Sequence, residues 1–323
     1  MPLIQSISKG KHIELLNIEL ETALSQLENT PSFYNLIKEG LTADHRKSYL
    51  HTVNSYPWSF LPLLVCEAIC GKYEHSLPAV AALQFLRASA EILDDTEDTD
   101  KSNSFPAKYG KTAAINAATA LIILAEKEIT KLKLTGVNQD TVIKVIETIN
   151  SHYITVCTGQ HLDLTLLAEA VVSEELYYKI AEMKSAAVIK CACIVGALLA
   201  GANQHIVDSF GCFGQNLGIA SQIANDILGI TQKRDIIKPK VTLPVIYGLS
   251  QTNNDALCQL EQVFLQPNTS FSKHEKIRRI LFNSGAIYYA TVKMELYKQR
   301  AQRILFSIQK KGINVTNLQH FLK

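Results

Sequence analysis

The 323-residue chain has no surplus of charge of one sign, because 32 Lys and Arg face 30 Asp and Glu. That balance argues against a general polyanion partner, nucleic acid included. Proline and glycine are sparse, 9 and 15 residues, and no Pro/Gly/Ser-rich linker interrupts the chain. One large domain, residues 1–323, is therefore expected rather than a string of modules. No apolar run reaches the roughly 18 residues that a bilayer-crossing helix requires, so no transmembrane segment is expected. The opening "MPLIQSISKGKHIELL" lacks a continuous apolar core of the kind a secretory leader carries. Strand-like alternation bounded by turn residues is almost missing, which leaves helix as the expected regular structure.

What is present fits that expectation. Residues 13–28, 76–95, 111–132, 140–170, 173–202, 204–230 and the long segment from His274 onward place apolar residues three and four apart. Several of these stretches are apolar on more than one side, as helices in the middle of a bundle are. The predicted class is all-α, a single large helical bundle. Ser76 is placed to cap the helix over 76–95, with Pro78 in its first turn. The seven cysteines, Cys66, Cys70, Cys157, Cys191, Cys193, Cys212 and Cys258, are odd in number and mostly sit in apolar surroundings. They read as reduced core residues of a cytoplasmic protein. The pairs 66/70 and 191/193 lack a second ligand pair at zinc-like spacing. From Lys273 to the end, eleven Lys and Arg meet two Glu, a local +9, so the remainder carries −7. That basic end reads either as a solvated helix face or as a positive rim for a phosphate-bearing substrate or acidic membrane surface.

The densest negative charge lies in "AEILDDTEDTD", residues 90–100, where six of eleven residues are acids. On a helix, Asp94 and Asp98 share one side and Asp95 lies about 100° round. Carboxylates on adjacent turns repel one another unless a cation joins them. Mg2+ takes oxygen ligands, uses one or two carboxylates, and completes its shell with water and substrate phosphates. The plainer alternative is an acidic helix end running into a solvated loop, although acids at a C-terminal end oppose the helix dipole. A second polar group lies in "SQIANDILGITQKRDIIKPKVTLP", residues 221–244. It offers Asn225 and Asp226, then the cations Lys233, Arg234, Lys238 and Lys240, then Thr242. Gln160 and Asp163 stand three apart in "GQHLDL", and Lys184 opens "KSAA". Asp163 and Lys184 either pair with each other or serve a metal and a phosphate respectively.

The order and spacing of these segments, from about residue 55 to residue 305, resemble the trans-isoprenyl diphosphate (polyprenyl) synthase superfamily of class I all-α isoprenoid synthases. The resemblance implies a bundle with a central active-site cavity. Asp94, Asp95 and Asp98 match the first aspartate-rich motif. Gln160, Asp163, Lys184, Gln222, Asn225, Asp226 and Lys240 match further metal- and diphosphate-facing positions. Of these, Asp94, Asp95, Asp98, Asp163, Asn225 and Asp226 are the implied metal ligands, and Gln160, Lys184, Gln222 and Lys240 the implied diphosphate contacts. Asp94, Asp95, Asp98 and Asp226 are the implied catalytic residues. The implied substrate is an allylic prenyl diphosphate and the implied cofactor is Mg2+, three ions with diphosphate bound, acting as Lewis acid and template. Ionisation leaves an allylic cation in a dry apolar pocket, and no protein nucleophile is required.

The chain departs from the family pattern in two places. Chain-elongating members hold isopentenyl diphosphate with a Gly-Lys-Arg stretch before the "CEA"-like segment and an Arg pair after the first motif. Here those places read "NSYPWSFLPLLVCEA" and "KSNSFPAKYG", the first without Lys or Arg and the second without Arg. The second aspartate motif is reduced to Asn225-Asp226-Ile227-Leu228-Gly229. The terpene-cyclase form of that motif is not intact either, since Gly229 and Lys233 occupy its two later positions. A terpene synthase of the polyprenyl-synthase type is the leading expectation. Prenyl transfer to a peptide or small molecule, residual elongation, and a catalytically silent partner subunit are the alternatives. The residues ahead of the aspartates, Phe85, Leu86, Ser89 and Ala90, are the implied pocket floor. Its small residues suit a chain of about fifteen to twenty carbons or longer. The resemblance also implies a homodimer, with 111–126 and 142–157 as the candidate surface.

Overall fold

The computed structural model describes residues 2–42, 57–97, 104–166, 173–232, 242–251 and 271–322. The described residues form helices and turns, without a strand. The α-helices are α1 (Pro2–Leu24), α2 (Pro31–Thr42), α3 (Leu61–Cys70), α4 (Leu77–Glu97), α5 (Phe105–Tyr109), α6 (Lys111–Thr130), α7 (Gln139–Leu166), α8 (Glu174–Ala181), α9 (Ala187–Leu199), α10 (Gln204–Thr231), α11 (Leu243–Gln251), α12 (Phe271–Asn283) and α13 (Ala286–Gln309). The all-α expectation is met. Two details differ from it. The stretch 173–202 is not one plain α-helix, since a single π-turn, Glu182–Ala186, joins α8 to α9. The basic end is broken between α12 and α13, where Gly285 adopts φ 79°, a left-handed conformation open to glycine at little cost.

The chain groups into two compact units. The first comprises residues 1–47, 54–148 and 192–207. Its most extensive contact is α4 against α6. That pairing follows from composition: Ala79, Ala81, Ala82 and Ala88 of α4 and Ala114, Ala117, Ala118 and Ala125 of α6 are fully buried. Small side chains let the two backbones approach, and the Ser89 hydroxyl donates to the Ala118 carbonyl at 3.0 Å. Ser76 begins α4 differently from expectation. Its hydroxyl donates back to the Tyr73 carbonyl at 2.6 Å rather than capping the helix.

The second unit comprises residues 48–53, 149–191 and 208–323. Its core gathers Tyr177, Ala181, Ala186, Ile219, Ile223, Ala224, Leu243, Ala290 and Met294. Two glycines set its closest approaches. A Cβ on Gly218 would lie 2.4 Å from Ala186 Cα, and one on Gly159 would lie 2.7 Å from the Lys184 backbone nitrogen. The π-turn is thus held against α10 through Gly218 and against α7 through Gly159.

The expectation of an all-core cysteine set is corrected. Cys66, Cys191 and Cys193 are buried, but Cys70, Cys157 and Cys212 are exposed, and all six are free thiols. Cys258 lies outside the described residues. No described helix is long and apolar enough to cross a membrane.

Candidate active site

In the first unit, the acidic cluster closes α4. Asp94 and Asp95 are buried, 8% and 3% exposed, although they sit in the last turn of the helix. The solvated-loop alternative does not describe them. Asp94 continues a polar row along a mostly apolar helix. Gln84, Arg87, Glu91 and Asp94 are spaced three, four and three apart and so share a side. Arg87 pairs with Glu91 at 2.6 Å and donates to Gln84 Oε1 at 3.3 Å, while Ser59 donates to the same Gln84 oxygen at 2.7 Å. Asp98, the third acid of the motif, lies outside the described residues.

Of the implied pocket floor, Phe85 is fully buried, Leu86 is 8% exposed and Ala90 is half-buried. Ser89 lies five residues before Asp94, about 140° round the helix, and its hydroxyl is committed to α6.

In the second unit, the structure builds a tight network around Asp226. The residue is 3% exposed. Its Oδ2 accepts from the Tyr177 hydroxyl at 2.7 Å and from the Leu243 backbone N–H at 3.2 Å. Its Oδ1 accepts from Gln222 Nε2 at 2.8 Å, and Gln222 Oε1 in turn accepts from the Ser185 hydroxyl. Donors on both oxygens favour the charged carboxylate despite its burial. Burial, then the Asp226 charge, pushes the Tyr177 phenol well above its ordinary range, so it stays a donor. Thr242 Oγ1, one residue before the Leu243 donor, is buried without a hydrogen-bond partner among the described residues.

Asp163 and Lys184 form an ion pair at 2.6 Å, the pairing alternative raised from the sequence. The π-turn carries both Lys184 and Ser185. Gln160 and Asn225 are half-buried on α7 and α10. Lys240, like Lys233, Arg234 and Lys238, lies outside the described residues. Tyr177 and Ser185 escaped the sequence reading.

Magnesium is the metal the resemblance implies, and the donor types present suit it. Asp94, Asp95 and Asp226 are buried hard oxygen donors, and buried carboxylates are kept charged by cations or hydrogen bonds.

Residues 59–281 match the family model described as polyprenyl synthetase. The chain belongs to this family of enzymes. It is 31% identical over 219 residues to a geranylgeranyl diphosphate synthase of Sulfolobus acidocaldarius, covering 64% of this chain and 66% of that protein. It is 29% identical over 252 residues to the tryptophan prenyltransferase ComQ of Bacillus subtilis subsp. natto, covering 76% of each. A crystal structure of geranylgeranyl pyrophosphate synthase from Corynebacterium glutamicum, complexed with isoprenyl diphosphate and magnesium, superposes with a TM-score of 0.76 at 19% identity. That match covers 95% of this chain and 97% of the other, and it shows the same fold.

Proposed function

We propose that this polyprenyl synthetase family member is a Mg2+-dependent prenyltransferase, one that ionises an allylic prenyl diphosphate and delivers the prenyl group to an acceptor other than isopentenyl diphosphate. Family membership supports the donor half of this reading, together with the buried carboxylates Asp94, Asp95 and Asp226. The reading takes residues 1–323 as one catalytic domain. Bound Mg2+ would supply charge neutralisation to the departing diphosphate.

The chain's own residues supply the rest. Tyr177, Gln222 and the Leu243 N–H hold Asp226 in one orientation and in its charged form. Lys184 exchanges its Asp163 partner for a phosphate oxygen, which leaves Asp163 free to turn toward a cation. In the reaction the allylic C–O bond breaks with both electrons leaving on diphosphate. A π bond of the acceptor then forms the new C–C bond, and the acceptor loses a proton.

The shortage of cations where a second diphosphate would bind carries the choice of acceptor. Residues 54–68 hold no Lys or Arg. Lys108, the described cation that follows the first motif, is engaged by Glu39 at 2.6 Å. An uncharged acceptor needs no such cations, and the tryptophan prenyltransferase relative points to a tryptophan indole. Chain elongation is the second reading, favoured by the diphosphate synthase relative. Cyclisation, the leading expectation from the sequence, has no support from the relatives described above.

The exposed apolar residues Ile115, Ile122 and Ile123 of α6 and Ile143 and Ile154 of α7 support a homodimer formed through these helices.

The test is an incubation with Mg2+ and geranyl, farnesyl, geranylgeranyl or geranylfarnesyl diphosphate, with isopentenyl diphosphate or a tryptophan-containing peptide as acceptor. Prenylated peptide is the expected product. A longer prenyl diphosphate would replace this reading by elongation, and a hydrocarbon formed without acceptor would replace it by cyclisation. No diphosphate release by the chain alone, restored by a second chain, would show a partner subunit.

A further inference from the structure

A second metal-ligating cluster lies in the first unit, apart in sequence from every residue assigned above. Cys66 and Cys70 occupy successive turns of α3. Gly71 then ends the helix at φ 72°, its N–H bonded to the Glu67 carbonyl. That left-handed cap turns the chain back, and the short turn Glu74–Ser76 returns His75 to the helix end. The ligand atoms of Cys66, Cys70 and His75 all lie within 4.8 Å of one another. The two Sγ atoms are 3.8 Å apart, and Cys66 Sγ lies 3.2 Å from His75 Nε2.

These separations suit one particular ion. With Zn–S near 2.3 Å and Zn–N near 2.0 Å, a tetrahedral centre places two sulfurs about 3.8 Å apart and a sulfur and nitrogen about 3.5 Å apart. The sulfur pair already stands at that spacing, the Cys66 Sγ–His75 Nε2 pair needs a shift of only about 0.3 Å, and Cys70 and His75 offer their ligand atoms within 4.8 Å of each other. A fourth ligand, an oxygen, is also at hand, since the Leu199 carbonyl lies 3.1 Å from His75 Nε2. The end of α9 reaches this place because Gly196 lets the helix close on α3, where a Cβ would lie 2.5 Å from the Pro62 carbonyl oxygen.

We propose that Cys66, Cys70 and His75 form a binding site for a thiophilic divalent cation, Zn2+ foremost, with the Leu199 carbonyl or a water as fourth ligand. The site is distinct in chemistry from the oxygen-rich magnesium motifs, because thiolate and imidazole select zinc-like ions and carboxylates select Mg2+. Loading exchanges two thiol protons for one Zn2+. His75 gives up its Nε2 proton and carries it on Nδ1 instead, so that Nε2 becomes a ligand. Cys70 is exposed and opens the path from solvent, while Cys66 is buried and fixes the inner corner. Once formed, the centre ties the ends of α3 and α9 to the turn that leads into α4, the helix of the first acidic motif.

The test uses the full reduced chain and two probes, Zn2+ and Co2+. The expected result is one Zn2+ per chain retained through gel filtration, a melting temperature raised by Zn2+ in the presence of saturating Mg2+, and a sulfur-to-cobalt charge-transfer band with Co2+. Cys70→Ser and His75→Gln should each weaken Zn2+ binding at least about tenfold and diminish the cobalt band. Cys157→Ser and Cys212→Ser, exposed cysteines elsewhere, should leave both unchanged. Should His75→Gln not fold, Cys70→Ser alone decides the question, because its side chain is at the surface. Failure to retain Zn2+, retention unaltered in Cys70→Ser, or loss of retention in the Cys157 or Cys212 variants would overturn the site.

Discussion

A carboxylate that is 3% exposed survives in its charged form only with donors around it, and Asp226 has Tyr177, Gln222 and the Leu243 N–H. Tyr177→Phe deletes one of these without changing the shape of the core. Stability should fall by about 1–3 kcal/mol, since a buried acceptor loses its partner, and prenyl transfer should fall with it. Urea denaturation alongside an activity assay measures both; an unchanged pair of values would mean that the phenol does not hold Asp226.

Glu128 tests the electrostatics of the first unit away from the reaction. It is 1% exposed, lies 2.8 Å from Lys131, and burial pushes its carboxyl up to about 7. The folded-state value exceeds the unfolded one, so the proton it carries favours folding at low pH. That contribution is complete below the ordinary carboxylate value and is lost as pH rises to about 7. Glu128→Gln should therefore flatten the decline in melting temperature between about pH 5 and pH 8. A parallel decline in both proteins would contradict it. At this scale Asp94, Asp95 and Asp226 stood out in the sequence as charged residues inside apolar helical runs, and the structure buries all three. Tyr177 did not stand out, because one tyrosine on an apolar face looks like ordinary core until its hydroxyl is seen on Asp226.

At the scale of elements, the π-turn is the feature that a helical pattern hides. A run of apolar residues at three- and four-residue spacing absorbs one extra residue without trace, and π-turns favour functional sites. Here the insertion places Lys184 and Ser185 beside Asp163 and Gln222. Its position depends on Gly218, whose missing Cβ admits Ala186. Gly218→Val should force α10 from the π-turn, cost about 1–3 kcal/mol or more, and reduce activity beyond what the stability loss explains. Retained activity and stability would show that the close approach is dispensable. Most helix bounds were readable within a few residues, as for the segment 204–230 against Gln204–Thr231. The break at Gly285 was not, because glycine is tolerated within a helix as well as at its end.

At the scale of the whole molecule, the homodimer proposed above assigns the exposed isoleucines of α6 and α7 to a partner surface. Ile123 of α6 is 62% exposed, and Ile154 of α7 is 69% exposed. On that proposal, Ile123→Glu should convert a dimer to a monomer in sedimentation while leaving helical content intact. A variant that sediments like the parent would place the interface elsewhere. Fold class and family were legible because they rest on many weakly informative positions spread along the chain. The acceptor was less so, because it depends on a few cations whose loss leaves no positive mark.

The most direct measurement is diphosphate release from farnesyl or geranylgeranyl diphosphate by purified protein, with Mg2+ and with EDTA, for the parent, Asp94→Asn and Asp226→Asn. The account predicts release that depends on Mg2+ and falls at least about a hundredfold in either variant, each still folded. Release that persists in EDTA, or that survives both substitutions, would contradict it.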